Sequence, residues 1–461
     1  MRATLTLQRA EREVINPGFG SVGQKSYSPR RAKWISVQGT HFNEQFTQEN
    51  RAIKIALSAG ADSRNRVWQS QSTAKVTASV SHDASIASVI PYDGPQTITP
   101  FRAEWDTLLR TSEHVNALYQ SPEYFEHLAS FGENHPHVTV VRDKNGEVRG
   151  IVPYTVQPYS LKFDLWGKVW FKKSFRAAKI LGSELLLPSR AECHDAFLSE
   201  LRLAQPDCNC VVFESVPEQS YLNHYLLQSN EIRSHWLVHV PEGTRRYPLI
   251  RLPATYEAYA SKFSKKSRYN MKREFRRLQD ECGPVQLIRV SFEDQVEAFV
   301  QGARSITSRS WSQGWLDRPM DPRNGLERVL TDFARRGILR SYVLKCGETP
   351  CAFAWGYQFA GVYTLVETAF DQKFAKYSPG KVLLSSIIED LISRDRPQIL
   401  TFDFGEAFYK ELFANWVGRD RTVVLFRRGM TNRFWCRIHR LFRSIVSSIR
   451  TRVKSKQAEP R

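Results

Sequence analysis

The sequence predicts an α/β protein built from two folded units, and its length, composition and pattern support this prediction. The chain has 461 residues, more than one hydrophobic core usually holds. Hydrophobic residues at 41% and charged residues at 25% are typical of globular domains. Strand and helix patterns alternate from about Phe101 onwards, which favours a mixed sheet flanked by helices over a helical bundle.

A region of different composition precedes these patterns. Residues 1–97 are rich in Ser, Thr, Ala, Gln and Asn, and their apolar runs are short. The segment Ser58–Ser88 cannot bury much apolar surface, so we expect residues 1–97 to be disordered or of low complexity. We assign no chemistry to this region.

The first folded unit is predicted at residues 98–246. Its clearest feature is a hairpin, because Asp143–Gly146 has the residues of a tight turn between two apolar runs. Helices are predicted at Glu104–Leu118, around Tyr124, Phe125 and Leu128, and at Glu192–Leu203; strands are predicted at Val138–Val141, Val148–Tyr154, Ile180–Leu187 and Cys210–Glu214.

The second folded unit is predicted at residues 247–428. It starts with one basic helix, Tyr256–Cys282, in which Met271, Phe275 and Leu278 fall on one face. Further helices are predicted at Phe292–Ser308, Leu326–Arg336 and Val382–Ser393, and strands at Val285–Val290, Arg340–Lys345, Cys351–Gln358, Val362–Phe370, Ile399–Phe404 and Arg421–Phe426. The hairpin patterns of Val140–Pro153 and Val343–Ala354 are alike, which indicates an internal duplication.

The positive charge of the chain is concentrated in two segments. The net charge is +19 at pH 7. Residues 427–461 contain eleven basic residues and one acidic residue, and residues 262–281 contain eight basic and three acidic residues. The rest of the chain is nearly neutral, so a broad nucleic-acid-binding surface is not expected.

The sequence also lacks the features of several protein classes. No apolar run approaches the ~18 residues of a membrane-spanning helix, and the first thirty residues contain no apolar signal-peptide core. The seven cysteines are sparse and lack zinc-ligand spacing. We therefore expect free thiols in a reducing cytoplasm, with no disulfide framework and no metal site.

A candidate anion site lies between the strand Val362–Phe370 and the helix that follows it. Ser378 is a suitable N-cap, Pro379 suits the first helical position, and the backbone N–H groups of Gly380 and Lys381 are predicted to point outward. The helix dipole and the Lys381 ammonium would favour a phosphate-sized anion there. The alternative is a well-capped structural helix that binds nothing.

A second cluster follows the strand Ile399–Phe404, where Gly405 allows a sharp exit and Glu406, Tyr409 and Lys410 come next. Ligands often bind beyond the carboxyl ends of such strands, and a carboxylate, a phenol and an amine can accept or relay a proton. Alternatively, these side chains only cover the start of a helix. The basic helix likewise has two interpretations, a solvated face or a grip on a polyanion such as a cofactor diphosphate, an RNA backbone or an acidic glycan.

In this order, the segments Ser267–Arg273, Tyr377–Leu384 and Gly405–Lys410 resemble the CelD-like (BioF2-like) branch of the GNAT acyltransferase superfamily, which is related to the FemAB peptidyltransferases. The resemblance covers about Phe101–Arg428. It implies two tandem GNAT-like halves, each a mixed sheet flanked by helices. It also implies acyl transfer from acyl-coenzyme A, often in exopolysaccharide or cellulose biosynthesis.

The resemblance also implies roles for individual residues. The pyrophosphate of the acyl-CoA would be held by Ser378, Pro379, Gly380 and Lys381, and the acceptor would be bordered by Gly405, Glu406, Tyr409 and Lys410. On the basic helix, Arg268, Tyr269 and Asn270 are predicted to bind substrate. Asp403 and Tyr409 are only six residues apart, closer than is usual in the family, so a degenerate site is an alternative.

Thioester chemistry suggests the catalytic assignments. The donor is already activated, so the protein must mainly align the acceptor, remove its proton and stabilise the developing oxyanion. Glu406 is the candidate base and Glu367 is the rival base, while Tyr409 is placed to protonate the leaving thiolate.

The C-terminal segment, residues 429–461, is predicted to be a basic amphipathic tail. Within Asn432–Lys456 the apolar residues Phe434, Ile438, Leu441, Phe442, Ile445 and Ile449 recur with helical spacing. Such a helix can lie on anionic lipid. The alternative is a helix that packs against the protein's own body.

The sequence therefore predicts an acyl-CoA-dependent N- or O-acyltransferase that acts on a saccharide or amine acceptor in polysaccharide or envelope biosynthesis. One alternative keeps the fold but takes its acyl group from an aminoacyl-tRNA. The other is a catalytically degenerate, membrane-associated scaffold. We expect a cytoplasmic protein, either free or peripheral on the inner face of the plasma membrane.

Overall fold

One mixed sheet of thirteen strands runs through the described part of the chain. In the computed structural model, the described residues are 86–94, 98–110, 115–131, 136–165, 168–310, 326–402 and 408–458. The strands are β1 Ile86–Asp93, β2 Pro136–Asp143, β3 Val148–Leu165, β4 Lys168–Ile180, β5 Cys210–Pro217, β6 Trp236–His239, β7 Thr244–Arg251, β8 Val285–Val290, β9 Ser341–Cys346, β10 Thr349–Phe359, β11 Val362–Phe370, β12 Ile399–Phe402 and β13 Trp416–Arg427.

Helices cover both faces of this sheet. They are α1 Arg102–Arg110, α2 Pro122–Phe131, α3 Ala191–Ala204, α4 Tyr221–Gln228, α5 Asn230–His235, α6 Tyr256–Ala260, α7 Lys265–Cys282, α8 Val296–Ser308, α9 Leu326–Arg335, α10 Pro379–Ser393, α11 Phe408–Phe413 and α12 Met430–Ala458. The predicted fold class, a mixed α/β protein with two tandem halves, is confirmed.

The two halves repeat one strand order. In the first half β1, β2, β3 and β4 are antiparallel neighbours, and α3 then connects β4 to the parallel strand β5. In the second half β8, β9, β10 and β11 are antiparallel neighbours, and α10 connects β11 to the parallel strand β12. The hairpins with like sequence patterns occupy equivalent places in the two halves, which supports the predicted duplication.

Strand β13 joins the two halves into one sheet. Its second part pairs with β5, its first part pairs with β7, and its end also pairs with β6. Val424 and Leu425 are fully buried and belong to different apolar clusters. Because β13 comes from the end of the second half but pairs with both, the halves share one sheet rather than only touching. The predicted unit boundary at residues 246 and 247 falls within β7.

Most predicted elements of the second half are confirmed. β8 and β11 have the predicted bounds, and α10 begins three residues before the predicted Val382 because the Ser378-Pro379 start is already helical. Its predicted apolar stripe is buried at Leu384, Ile387, Ile388, Leu391 and Ile392. In the first half the hairpin of β2 and β3 and the helix α3 also lie where the sequence predicts them.

Four predicted elements need correction. The strand predicted at Ile180–Leu187 is a turn region after β4 with one isolated bridge, because Gly182 has a positive φ of 86° and ends the strand. The helix predicted at Glu104–Leu118 ends at Arg110, and a 3₁₀ turn follows at Ala117–Gln120.

The other two corrections concern the start of each half. The single basic helix predicted at Tyr256–Cys282 is broken into α6 and α7, because the Ser264 hydroxyl accepts the Ser267 N–H at 3.1 Å and starts a new helix. The predicted N-terminal disorder falls outside the described residues up to residue 85. Its last part forms β1 instead, since Val89 and Tyr92 pair across to the buried edge of β2.

We predict that β13 determines the cooperativity of unfolding. Leu425→Ala removes a fully buried side chain where β13 packs into the first half and should lower the free energy of unfolding by about 2–5 kcal/mol. Val417→Ala, on the exposed part of the same strand, is the matched control and should change it by about 0.5 kcal/mol or less. Denaturant unfolding followed by circular dichroism measures both. Two separate transitions in the wild-type protein would contradict the shared-strand interpretation.

Candidate functional site

The described part of the parallel ladder between β11 and β12 is short. Their ladder contains four residue pairs, from Val362 with Ile399 to Leu365 with Phe402. Beyond this point β11 continues through Val366–Phe370, and within the described residues these positions pair only with β10. On this edge of β11 the described residues provide no partner for Val366–Phe370, and residues 403–407, which follow β12, lie outside the described residues.

A bulge in β11 lies just beyond the end of this ladder. Gly356 pairs with Leu365 and Trp355 pairs with Glu367, so Val366 is an extra residue with no partner of its own. Side chains normally alternate between the two faces of a strand, and an extra residue reverses this alternation. Leu365 points into the core under α10, whereas Glu367 shares the opposite face with Trp355 and Ala369.

The Glu367 carboxylate is buried without a hydrogen-bond partner. Neither oxygen has a partner among the described residues. The indole N–H of Trp355 also lacks one there, and only 8% of the Trp355 residue is exposed. Burial raises the pKa of Glu367 to about 7, and the nearby Trp355 indole opposes this rise without reaching hydrogen-bond geometry. Buried polar groups in proteins are nearly always paired, so these groups indicate a site for a ligand or water.

Helix α8 supplies two more such groups on the same face of the sheet. It packs against β10 and β11, and the Nε atom of Arg304 and the hydroxyl of Thr307 are buried without hydrogen-bond partners among the described residues. The sequence analysis missed Trp355 and Thr307, because an indole in an apolar strand and a threonine on an amphipathic helix both look like ordinary core residues.

The predicted anion site lies at the start of α10, on the other face of the sheet. Ser378 is the N-cap and Pro379 opens the helix, as predicted, but Ser378 has a left-handed backbone (φ 55°, ψ 49°) and its side chain makes no capping bond. None of the described residues accepts a hydrogen bond from the Gly380 amide. A Cβ at Gly380 would meet nothing nearer than Phe370 at 3.6 Å, so the space around it is open.

Two features of Lys381 differ from the prediction. Its N–H was predicted to be free, but it donates to the Ser378 carbonyl at 3.0 Å, because the first turn is tightened to a 3₁₀ bond. Its ammonium lies 3.2 Å from the Glu274 carboxylate of α7. An acidic residue of the basic helix therefore offsets part of the positive charge at the start of α10.

Helix α7 presents a row of cations to solvent. The exposed side chains with no ion-pair or hydrogen-bond partner among the described residues are Lys265, Lys266, Arg268, Lys272, Arg273 and Arg276. Of the other predicted substrate-binding residues, Tyr269 is exposed and Asn270 is half-buried. Of the predicted apolar face, Leu278 is buried and Met271 is partly buried, but Phe275 is exposed.

Two of the three acidic residues of α7 contact the segment around the anion site. Glu274 pairs with Lys381, and Glu281 accepts a hydrogen bond from the Tyr377 hydroxyl at 2.7 Å. Glu281 also lies 3.4 Å from the Lys376 ammonium. These contacts attach α7 to the turn that precedes α10, so the cation row and the anion site belong to one surface.

The second predicted cluster is only partly described. Gly405 and Glu406 lie outside the described residues. Tyr409 and Lys410 lie on α11, where Lys410 is buried and the Tyr409 ring contacts Phe402 edge-on at 5.9 Å between centroids. Burial raises the pKa of Tyr409 to about 12, so its phenol stays protonated at neutral pH. Tyr409 packs against the apolar cluster under α10, on the face opposite Glu367.

Lys262, which the sequence analysis did not single out, holds α11 in place. Its ammonium donates to the carbonyls of Leu412, Phe413 and Ala414 at 2.9, 2.7 and 2.5 Å, and the Tyr259 hydroxyl donates to the Phe413 carbonyl at 2.7 Å. A cation at the C-terminal end of a helix is electrostatically favourable. Burial lowers the pKa of Lys262 to about 7, while the three carbonyl acceptors favour its charged form.

Other classes of site are not visible in the described residues. No group of three His, Cys, Asp or Glu side chains within the described ranges is arranged to hold a metal ion. All seven cysteines are free thiols, as predicted. None of the described helices has both the length and the apolar character needed to cross a bilayer.

Comparisons with known proteins agree with this architecture. The chain superimposes on the crystal structure of FemX with a TM-score of 0.52 and 9% identity, covering 71% of this chain and 96% of FemX. At this identity the likeness concerns the fold alone. A second match is a tandem GNAT protein from the clavulanic acid biosynthesis pathway, with a TM-score of 0.42 and 10% identity, covering 73% of this chain and 98% of that protein. A third is the C-terminal domain of a putative lysylphosphatidylglycerol synthetase from Agrobacterium fabrum, with a TM-score of 0.42 and 11% identity, covering 72% of this chain and 93% of that domain.

The sequence itself matches one family model. No curated protein matches the chain significantly. Residues 265–429 match the model described as an acetyltransferase (GNAT) domain. This range begins at the first residue of α7 and includes β11, the start of α10 and α11. Residues 265–429 of the chain are therefore similar to a GNAT acetyltransferase domain.

Proposed function

We propose that the protein is an acyl-CoA-dependent N- or O-acyltransferase whose acceptor is a saccharide or an amine of polysaccharide or envelope biosynthesis. The observation that carries the proposal is Glu367, a buried carboxylate with no hydrogen-bond partner among the described residues, which lies two residues beyond the last described pair of β11 and β12. Its pKa of about 7 suits a general base at neutral pH.

The start of α10 fits the diphosphate of an acyl-CoA. Gly380 offers an amide without an acceptor among the described residues and no side chain to exclude an anion. The helix behind it has fifteen residues and a favourable dipole. Lys381 would contribute its ammonium once an anion competes with Glu274 for it. When bound, acyl-CoA supplies an acyl group already activated as a thioester.

The two faces of the sheet then have different tasks. The anion site and Tyr409 lie on the α10 face, and Glu367 lies on the α8 face. We assign Glu367 to take the proton from the acceptor's amine or hydroxyl. The protonated Tyr409 phenol is assigned to the departing sulfur. Glu406 remains the alternative base.

A second candidate donor is an aminoacyl-tRNA. The exposed cations of α7 that lack partners favour it, because six such side chains on one helix match a phosphate backbone. The FemX-like fold is compatible with either donor. Both candidates keep the same acyl-transfer site and differ only in which anion meets α7 and the start of α10.

We predict that Glu367→Gln abolishes the pH dependence of acyl transfer near neutrality. A base works only when deprotonated, so the wild-type kcat/KM should rise as pH increases through about 7. The variant should lose about 10²–10⁴-fold in kcat and show no such rise. Glu348→Gln, in an exposed turn of the same half, is the matched control. If Glu406→Gln removes the pH-dependent rise and Glu367→Gln retains it, Glu406 is the base.

The same substitution should stabilise the fold at alkaline pH. The pKa of Glu367 is raised from 4.5 to about 7 in the native state, so between these values the native protein binds more protons than the unfolded chain. Stability therefore falls as pH rises through this window, by about 3 kcal/mol in total. Glu367→Gln has no such loss, and its advantage in melting temperature should be larger at about pH 8 than at about pH 5. An equal advantage at both pH values would contradict the buried-carboxylate interpretation.

We predict that Gly380→Glu removes acyl-CoA binding without unfolding the protein. The side chain has room, and a carboxylate at a helix start is favourable, but it repels a diphosphate. Acetyl- and longer acyl-CoAs should raise the melting temperature of the wild type and of the control Gly429→Glu, but not that of Gly380→Glu. If no acyl-CoA stabilises the wild type and an aminoacyl-tRNA binds with a steep salt dependence, the second donor is correct.

A further inference from the structure

The β3–β4 hairpin projects beyond both of its neighbours in the sheet. β3 has 18 residues, but β2 pairs only with its first part, up to Thr155. β4 pairs with β5 only at Ala177–Lys179. The rest of the hairpin, which we call the β-arm (residues 156–165 and 168–176), therefore lacks flanking strands. Its sequence was not predicted to form strands beyond Tyr154.

The far end of the β-arm exposes large apolar side chains. Val169, Trp170 and Phe171 are consecutive and exposed, and 69% of Trp170 is accessible to solvent. Lys168 and Lys172 flank them and are exposed as well, with the Lys168 ammonium 5.5 Å from the Trp170 ring centroid. A soluble surface rarely carries such a cluster without a partner.

Helix α12 braces the β-arm along its length. The Phe171 ring stacks on Trp435 at 5.5 Å between centroids, and Phe163 contacts Phe442 at 5.3 Å. Arg443 forms an ion pair with Asp164 at 3.1 Å. The prediction that α12 packs on the protein's own body is thus met on one side of the helix.

The other side of α12 remains apolar and exposed. The predicted single apolar face is split, since Ile438 and Phe442 pack against the body. The exposed apolar residues are Met430, Phe434, Leu441 and Ile445. At about 100° per residue these four lie within an arc of roughly 60°. Phe434 contacts Trp435, which contacts Phe171, so this stripe is continuous with the end of the β-arm.

Cations surround this apolar surface and acids are absent from its helix. Arg433, Arg437 and Arg440 are exposed beside the stripe, and Met430–Ala458 contains no acidic residue. A second copy of the chain on this surface would bring like charges together. Residues 1–85 would do the same, since they contain twelve basic and six acidic residues. The surface therefore complements an anionic partner, and its protruding Trp and Leu side chains fit lipid better than nucleic acid.

We propose that the end of the β-arm and the exposed stripe of α12 together form a docking surface for an anionic lipid bilayer. The aromatic side chains enter the headgroup region and the flanking cations bind the lipid phosphates. The surface uses none of the residues assigned to acyl transfer, so the two proposals can be tested independently.

Flotation of the full-length protein with vesicles tests this surface. Vesicles of phosphatidylcholine and phosphatidylglycerol should carry the protein upward, and vesicles of phosphatidylcholine alone should not. Trp170→Ala and Leu441→Glu should each weaken binding about tenfold, and Arg437→Ala about fivefold. The matched controls are Phe292→Ala and Leu203→Glu, which alter side chains that are 68% and 71% exposed elsewhere, and these should bind like the wild type.

Several results would overturn the proposal. One is equal binding to both vesicle types, or no binding to either. Another is that Leu441→Glu and Leu203→Glu weaken binding alike. Analytical ultracentrifugation of the wild type and Leu441→Glu without lipid supplies a third, because a dimer that becomes a monomer in the variant would assign the surface to a second copy. If hydrogen exchange shows the β-arm protected in the full chain and exposed after removal of residues 1–85, that segment is the occupant.

Discussion

The extra residue in β11 determines on which face of the sheet the Glu367 carboxylate lies. If Val366 had a partner on β10, the alternation of side chains would direct Glu367 into the apolar cluster under α10, where Leu365 and Tyr363 are buried. The bulge directs the carboxylate to the opposite face and places it beside Trp355. This local irregularity places the candidate base two residues beyond the last described pair of β11 and β12.

Much of the second half could be predicted because its elements are determined locally. The strand Val362–Phe370 and the helix behind Pro379 have strong apolar patterns and clear start signals, and the structure confirms both. The β-arm was not predicted, because the apolar face of Tyr159, Leu161 and Phe163 is short and is buried only by residues that are distant in the sequence, on β5, β13 and α12. Likewise β13 looks like a closing strand in sequence, and nothing local indicates that it pairs with both halves.

In the candidate site, too, only the features that depend on local sequence could be predicted. The start of α10 could be located from a proline and a glycine, whose backbone preferences act within one turn. The state of Lys381 could not, because its partner Glu274 is more than a hundred residues earlier in the chain. Glu367 appeared in sequence only as a rival base, since a carboxylate in a strand reveals neither its burial nor its missing partners. Both properties depend on β10 and α8, which reach it through tertiary packing.

The duplication explains how one chain can hold two different surfaces. β4, α3 and β5 occupy in the first half the place of β11, α10 and β12 in the second, but the first turn of α3 carries Glu192 where that of α10 carries Gly380 and Lys381. A carboxylate there would repel a diphosphate, so of these two helix starts only that of α10 suits the proposed anion site. The hairpin of the first half is also longer. Its strands β3 and β4 have 18 and 13 residues, whereas the equivalent strands β10 and β11 have 11 and 9. Equivalent strands, β11 and β4, thus carry the proposed base in the second half and part of the proposed docking arm in the first.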